Sequence, residues 1–194
     1  MAMGFALCMT PLIGKAYGQG DVDSIGSTVK NGLAVNTLAA LVLMVVYTVL
    51  YFFLDKLGQP DELLPYVRPY YLINLVSIPF VCWVNGLKQL FDATTDTKTP
   101  MWILLGGNAL NIVGNWLLIY GHCGLPEMGI TGAGLSTLLA RVTMFVAIAL
   151  CFAFSGRHRG ERAAFRKSRV SRGEMRSLVV LGTPISLQMG MESG

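Results

Sequence analysis

Charge is what this sequence has least of. Only 13% of its 194 residues are Asp, Glu, Lys or Arg, about half the ~25% of an ordinary soluble domain. So few charges cannot solvate a water-soluble surface of this size. Apolar residues make up 53% of the chain, and the mean hydropathy is +0.55. The class is therefore an integral membrane protein. Histidine is nearly absent: His122 and His158 stand in separate polar stretches, which leaves a zinc site without ligands. The four cysteines, Cys8, Cys82, Cys123 and Cys151, show no paired spacing and read as small apolar packing residues. No Ser/His/Asp set is present, nor a phosphate-cradling glycine loop followed by Lys-Ser/Thr. Gly18-Gln19-Gly20 is too short and wrongly flanked for a dinucleotide site. Neither an enzyme nor a cofactor is expected. A signal peptide is missing too, because the apolar start MAMGFALCMTPLIG has no basic n-region and no small-residue cleavage site. That start reads as the second half of a membrane helix. The chain also stops inside an apolar run, so both ends read as cuts through something longer.

What is present is a set of long apolar runs, about six membrane segments at a bilayer core of ~30 Å. The runs predict helices over about 1–17, 29–54, 67–90, 100–120 and 130–154, a basic connection over 155–176, and a further helix beginning within 177–194. Ser24 or Ser27 is placed to cap the second of these. Tyr47, Tyr51, Phe52 and Phe53 crowd its far end as an interfacial belt would. Pro79 lies inside the third and is expected to kink it. The run Gly132-Ala133-Gly134 with Ser136-Thr137 opens the fifth and permits close helix approach.

The placement of charge fixes orientation. The segments 15–30, 88–100 and 156–176 carry twelve Lys and Arg, whereas 55–68 and 121–127 carry only Lys56 and Arg68. By the positive-inside rule the basic segments are cytoplasmic. The basic run after Arg157 lacks aromatic interleaving beyond Phe165, so it reads as a segment attracted to anionic lipid rather than to nucleic acid. As the longest connection it also reads as a hinge between two halves.

Polar groups at membrane depth are few. The charge-free run Met101–Tyr120 holds Asn108, Asn111 and Asn115 at helical spacing, with Gly107 and Gly114 beside them. Lipid offers amides no partner. Such a face either ties helices together or lines a polar cavity, and the residues alone leave both open. Arg141 lies near the middle of its span. It either pairs with a carboxylate or carbonyl on a neighbouring helix or stands on a cavity wall as a gate charge. Pro184, Gln188 and Glu192 are each four apart. Pro184 opens its helix locally, and a membrane-depth Glu beside a Gln suits proton or Na+ exchange. The competing reading of Glu192 is neutralisation of a buried cation such as Arg141.

In this order and spacing the pieces resemble the multidrug and toxic compound extrusion (MATE, NorM-like) transporters over nearly the whole chain. Thr10-Pro11 through Gly18-Gln19-Gly20-Asp21 is similar to the family's second helix entering its first cytoplasmic loop. Asp96 to Pro100 resembles the loop before the fifth helix. Asn111, Asn115 and the run from Gly121 to Gly134 (GHCGLPEMGITGAG) match an N-x3-N helix followed by G-x2-G-x-P-x2-G-I-x-G-A. Gly182 to Glu192 resembles the start of the seventh helix, G-x-P-x3-Q-x3-E.

The resemblance implies an all-α fold of twelve helices in two six-helix lobes related by pseudo-twofold symmetry, of which this chain holds helices two to seven. It implies a plasma (inner) membrane antiporter that exports amphipathic, often cationic, organic solutes against Na+ or H+ by alternating access. The partners implied are that solute, the bilayer and the remainder of the same transporter. Asn111 and Asn115 then stand at cation-coupling positions of the first lobe, with Asn85 and Thr137 as partners. Glu192, beside Gln188, stands at the coupling glutamate of the second lobe. The signature shifts Asn111 and Asn115 toward the cavity and leaves Asn108 open. Two other readings remain: a lipid-linked oligosaccharide flippase of the same superfamily, which needs a strongly cationic cavity, and a non-transporting membrane assembly subunit.

Overall fold

A computed structural model describes residues 9–53, 64–121, 127–156, 158–168 and 171–192, with backbone alone at Leu64, Tyr66, Arg172, Leu181 and 185–192. These residues form seven helices and no strand: α1 (Met9–Gly18), α2 (Val22–Phe53), α3 (Leu64–Ala93), α4 (Lys98–Ile119), α5 (Gly129–Phe154), α6 (Arg159–Lys167) and α7 (Arg172–Glu192). Four of them, α2, α3 from Val67, α4 and α5, are long and apolar enough to cross a membrane. The chain is an all-α integral membrane protein.

The first departure from the sequence reading is at the start of α2. Neither Ser24 nor Ser27 caps the helix. Asp21 does: its carboxylate accepts the Ser24 backbone N–H at 3.0 Å and the Ser24 hydroxyl at 2.6 Å. Those two bonds hold the Asp21 carboxyl below the usual carboxylate range. The helix therefore begins at Val22, ahead of the span itself. At ~1.5 Å per residue its 32 residues reach about 48 Å, well beyond a ~30 Å hydrocarbon core.

The overhanging turns of α2 serve as a platform. The basic connection contains a helix, α6, because Ala164 and Phe165 give RGERAAFRK an apolar side while its Arg and Lys stay outside. Ala164 is buried against Gly26, where an added Cβ would lie 2.5 Å from the Ala164 backbone. Lys30 Nζ donates to the carbonyl oxygens of Phe165 (3.3 Å) and Ser168 (2.7 Å), placing a cation on the C-terminal end of α6, where the helix dipole favours it.

Helix α5 is central. It packs along both α4 and α3, α3 packs in turn on α2, and α4 has little contact with α3. The small-residue run makes this possible. A Cβ on Gly132 would sit 2.5 Å from the Leu118 carbonyl oxygen of α4, and one on Gly134 would sit 3.0 Å from the Tyr70 ring of α3. Trp83 Nε1 donates to Thr37 Oγ1 at 2.9 Å and ties α3 to α2. Helix α3 runs through Pro69 and Pro79 as one element.

Buried apolar residues gather toward the basic end, with Met9, Ile13, Ile25, Val29 and Leu90 in one cluster and Val84, Leu87, Phe91 and Ile148 in another. Elsewhere α2 and α4 turn Leu41, Val45, Phe52, Trp102, Ile112 and Trp116 outward, surfaces that suit lipid. At the far end of α2, Tyr71 donates its hydroxyl to the Tyr47 carbonyl at 3.0 Å, and its ring lies 5.5 Å from that of Tyr47 and 6.0 Å from that of Tyr51.

Gly132→Val should push α4 off α5, since the atom in its way is backbone oxygen and cannot rotate aside. The expected loss is about 1–3 kcal/mol, read as a lower thermal unfolding midpoint of the purified protein in detergent, whereas Gly106→Ala, which meets nothing within 4 Å, should leave the midpoint unchanged.

Candidate functional site

The seam between α4 and α5 gathers the polar groups. Asn115 Nδ2 donates to Asn111 Oδ1 at 3.3 Å. Asn111 Nδ2 in turn donates to Thr137 Oγ1 at 3.3 Å and, more weakly, to Ser136 Oγ at 3.5 Å. Ser136 closes the seam by donating to the Asn111 carbonyl at 2.9 Å, and Thr137 donates to the Ala133 carbonyl at 2.9 Å. Gly114 admits this arrangement: a Cβ there would lie 2.5 Å from Ser136 Oγ. Followed from donor to acceptor, the chain of bonds starts at Asn115 and ends on the Ala133 carbonyl, and the amide at its start keeps an open acceptor. Asn115 Oδ1 is buried and has no hydrogen-bond partner among the described residues. In a membrane such an oxygen has no bulk water to turn to, so it is poised to take a donor or a cation.

Thr137 thus joins Asn111 and Asn115. Asn85 does not: it is half-buried on α3 and bonds to no described residue. Asn108 is exposed and stands apart from the seam. Its helical spacing aligns it with the other two, but α5 does not reach across to it. Arg141, one turn beyond Thr137, donates from Nη1 to Ser77 Oγ of α3, and Ser77 passes its own proton to the Asn74 carbonyl at 2.6 Å. Among the described residues Arg141 has no carboxylate partner, so it ties α5 to α3 through a hydroxyl. Helix α7 runs through Pro184 without a break. Gln188 and Glu192 fall on its last turns, where the side chains lie outside the described residues. Cys8, Cys123 and His122 lie outside them as well, while Cys82 and Cys151 are free thiols.

The sequence reading passed over two asparagines of α2. Asn31 is fully buried and accepts the Ser171 backbone N–H at 2.8 Å on Oδ1, while its Nδ2 donates to the Ser27 carbonyl at 3.0 Å and to Glu174. Ser27 donates to the same Glu174 carboxylate, so the start of α7 is pinned to α2. Asn36, also fully buried, contacts Met9 Sδ at 3.7 Å and leaves Oδ1 unpaired. The signal available was an amide among leucines and valines, which counts as expensive in any apolar run.

Known proteins share this fold and sequence pattern. The MatE family model matches residues 1–117. A probable multidrug resistance protein NorM of Geobacillus kaustophilus is 29% identical over 99% of this chain and 42% of its own length. The multidrug resistance protein MdtK of Klebsiella pneumoniae is 28% identical over 97% of the chain and 42% of its own length. Among solved structures, a MATE protein in the bent conformation superposes with a TM-score of 0.84 at 21% identity, over 98% of this chain and 42% of that one. An inward-facing MATE family multidrug resistance transporter gives 0.78 at 22%, over 96% and 41%. The chain therefore spans about 42% of the relatives it matches.

The two seam asparagines should respond differently to substitution. Asn111→Leu strands the Asn115 amide and should cost about 1–3 kcal/mol. Asn115→Leu strands Asn111 Oδ1 but also removes an unpaired acceptor, so it should cost less than Asn111→Leu, both read as thermal midpoints in detergent.

Proposed function

The chain belongs to the MatE family, whose model covers more than half of it, and from that premise we propose that it forms part of a cation-coupled antiporter exporting amphipathic, often cationic, organic solutes by alternating access. The observation that carries the reading is the open Asn115 Oδ1 at the start of the Asn111–Thr137 chain. An amide neither gains nor loses a proton in the physiological range, so this seam suits a hard cation held by oxygen atoms, such as Na+, better than a proton. Asn111, Asn115 and Thr137 would supply the oxygens. Proton exchange would run through a carboxylate, and Glu192, with Gln188 beside it in helical spacing, is the residue proposed for it. Asn85 and Arg141 line the same lobe, Arg141 as a tether between α5 and α3 rather than a substrate ligand. Pro184 weakens the ladder of α7 next to that carboxylate, and Pro79 does the same in α3; both are proposed as bending points.

The role is transport, not catalysis. The positive-inside rule supports a cytoplasmic side for the basic segments 15–30, 88–100 and 156–176, and membership of the family supports the plasma (inner) membrane as the location. The solute, the bilayer and the rest of the same transporter are the proposed partners. An oligosaccharide flippase would need several cations on the cavity wall, and the apolar middles of the described spans carry only Arg141, already bonded to Ser77.

Drug efflux driven by a Na+ gradient or by a proton gradient, in membrane vesicles carrying the full-length protein, tests the proposal. Glu192→Gln should abolish coupled export at normal expression, and Asn115→Leu should weaken Na+ dependence about tenfold or more, one missing ligand being worth at least ~1.4 kcal/mol. Unchanged efflux in both variants would refute it.

A further inference from the structure

Three membrane-spanning helices leave a groove between them. Leu33 of α2, Trp83 and Leu87 of α3, and Phe145, Ala149 and Phe152 of α5 line it, and its volume is about 280 Å³. One wall is aromatic: the Trp83 ring lies 5.2 Å from that of Phe145 and 5.8 Å from that of Phe80. Phe145, Ala149 and Phe152 share a face of α5 by helical spacing, and the small Ala149 leaves a gap between two large rings. The indole N–H of Trp83 is already spent on Thr37 Oγ1 at 2.9 Å. The side chains of the groove therefore offer no free hydrogen bond, which favours hydrocarbon over water or an ion.

The basic end of the groove has the opposite character. Phe152 meets the Phe165 ring of α6 edge-on at 6.0 Å, and the Lys30 ammonium lies 5.5 Å from the centre of that ring. Lys30 stands one turn before Leu33 on α2. It donates to the carbonyls of Phe165 and Ser168 and pairs with no carboxylate among the described residues. On α6, Arg159, Arg162 and Arg166 recur at helical spacing on the face next to Phe165. None of them pairs with a described carboxylate either. Two carboxylates close by are engaged elsewhere: Glu174 accepts Ser27 and Asn31, and Glu161 Oε1 is 3.9 Å from His158 Nδ1. An apolar slot at membrane depth thus ends beside a group of uncompensated cations.

We propose that this groove binds an anionic phospholipid of the surrounding bilayer, with one acyl chain against Trp83, Phe145 and Phe152 and the phosphate at Lys30 and the α6 arginines. Basic pockets between membrane helices recognise anionic headgroups in this way. The other occupants fit less well. A helix with its side chains, about 10 Å across, fills about 420 Å³ per turn, more than the groove holds. A cationic solute would meet repulsion at the basic end, and a lipid without net charge would leave the cations unmatched. The bound lipid bridges α2, α5 and α6 just before the chain enters α7. Such a site is independent of the transport reading, because the lobe can hold a lipid whatever solute crosses it.

Native mass spectrometry of the full-length protein, offered equal amounts of phosphatidylglycerol and phosphatidylcholine with the same acyl chains, tests the site. Phosphatidylglycerol should be retained about tenfold or more over phosphatidylcholine. Replacing both arginines, Arg162→Gln with Arg166→Gln, should cut that preference to about twofold. Ala149→Phe fills the slot without touching a charge, and it should lower phosphatidylglycerol retention about tenfold. Equal retention of the two lipids overturns the proposal, as does retention of neither, the outcome if the rest of the transporter covers the groove. A preference that survives loss of both arginines overturns it too. So does undiminished retention in Ala149→Phe, which would mean adsorption to a charged surface alone. Should Ala149→Phe fail to fold, phosphatidylglycerol with brominated tails gives an independent reading. It should quench the part of the tryptophan emission that Trp83→Phe removes, and about tenfold more brominated phosphatidylcholine should be needed for the same effect. Absence of that quenching overturns the site.

Discussion

Between Gly132 and Thr137, α5 comes so near to α4 that a single methyl group would strike the Leu118 carbonyl oxygen. The polar contacts of the lobe's middle depend on that approach. It brings Ser136 within reach of the Asn111 carbonyl and Thr137 within reach of the Asn111 amide. With bulkier residues on α5 the helices would stand farther apart, the Asn115–Asn111 pair of α4 would lose Ser136 and Thr137, and the chain that starts at Asn115 would stop at Asn111. Hydrocarbon gives little hydrophobic drive for helices to associate, so packing and such bonds must supply it. The polar seam is thus both the adhesive of the α4–α5 pair and the place where one acceptor is left over.

The other end of the lobe solves a different problem. There α2 projects past the hydrocarbon, and its first turns are covered by α6 through Gly26, Lys30 and Asn31. Water is available at this depth, and so are charged groups: Lys30 on a helix terminus, Glu174 on two α2 side chains, His158 between two carboxylates. One chain therefore uses amides and hydroxyls where charge is too costly and ions where it is not.

Much of the architecture was legible because membrane spans announce themselves by length and absence of charge. The apolar runs marked α2 to α5, and the glycine-rich start of α5 foretold close contact. Asn111 and Asn115 stood out as amides against such a background, whereas Thr137 was singled out only through the family resemblance. Helix starts were harder. Asp21 beat Ser24 as a cap because a carboxylate can take both the backbone N–H and the hydroxyl of Ser24, a choice that spacing does not reveal. Helix α6 was hidden by its charge: a basic stretch reads as a loop unless the two apolar residues at its centre are given something to lie on, and that surface belongs to a helix over a hundred residues earlier. The same distance in sequence concealed the grouping of His158 with Asp96. Arg141 was recognised as needing a partner, but a serine on α3 is not a partner that charge pairing would nominate.

The length of α2 has a mechanical meaning. As one continuous rod of about 48 Å, it reports at one end what happens at the other. A tilt of about 5° around its midpoint moves each end by roughly 2 Å, within the range of helix shifts seen in switching proteins. At the C-terminal end that displacement slides Tyr47 and Tyr51 against Tyr71. At the N-terminal end it carries Gly26, Lys30 and Asn31, and with them the short helix they hold. An event at one membrane face thus needs no chain of intermediate contacts to be felt at the other; the rod itself is the lever arm.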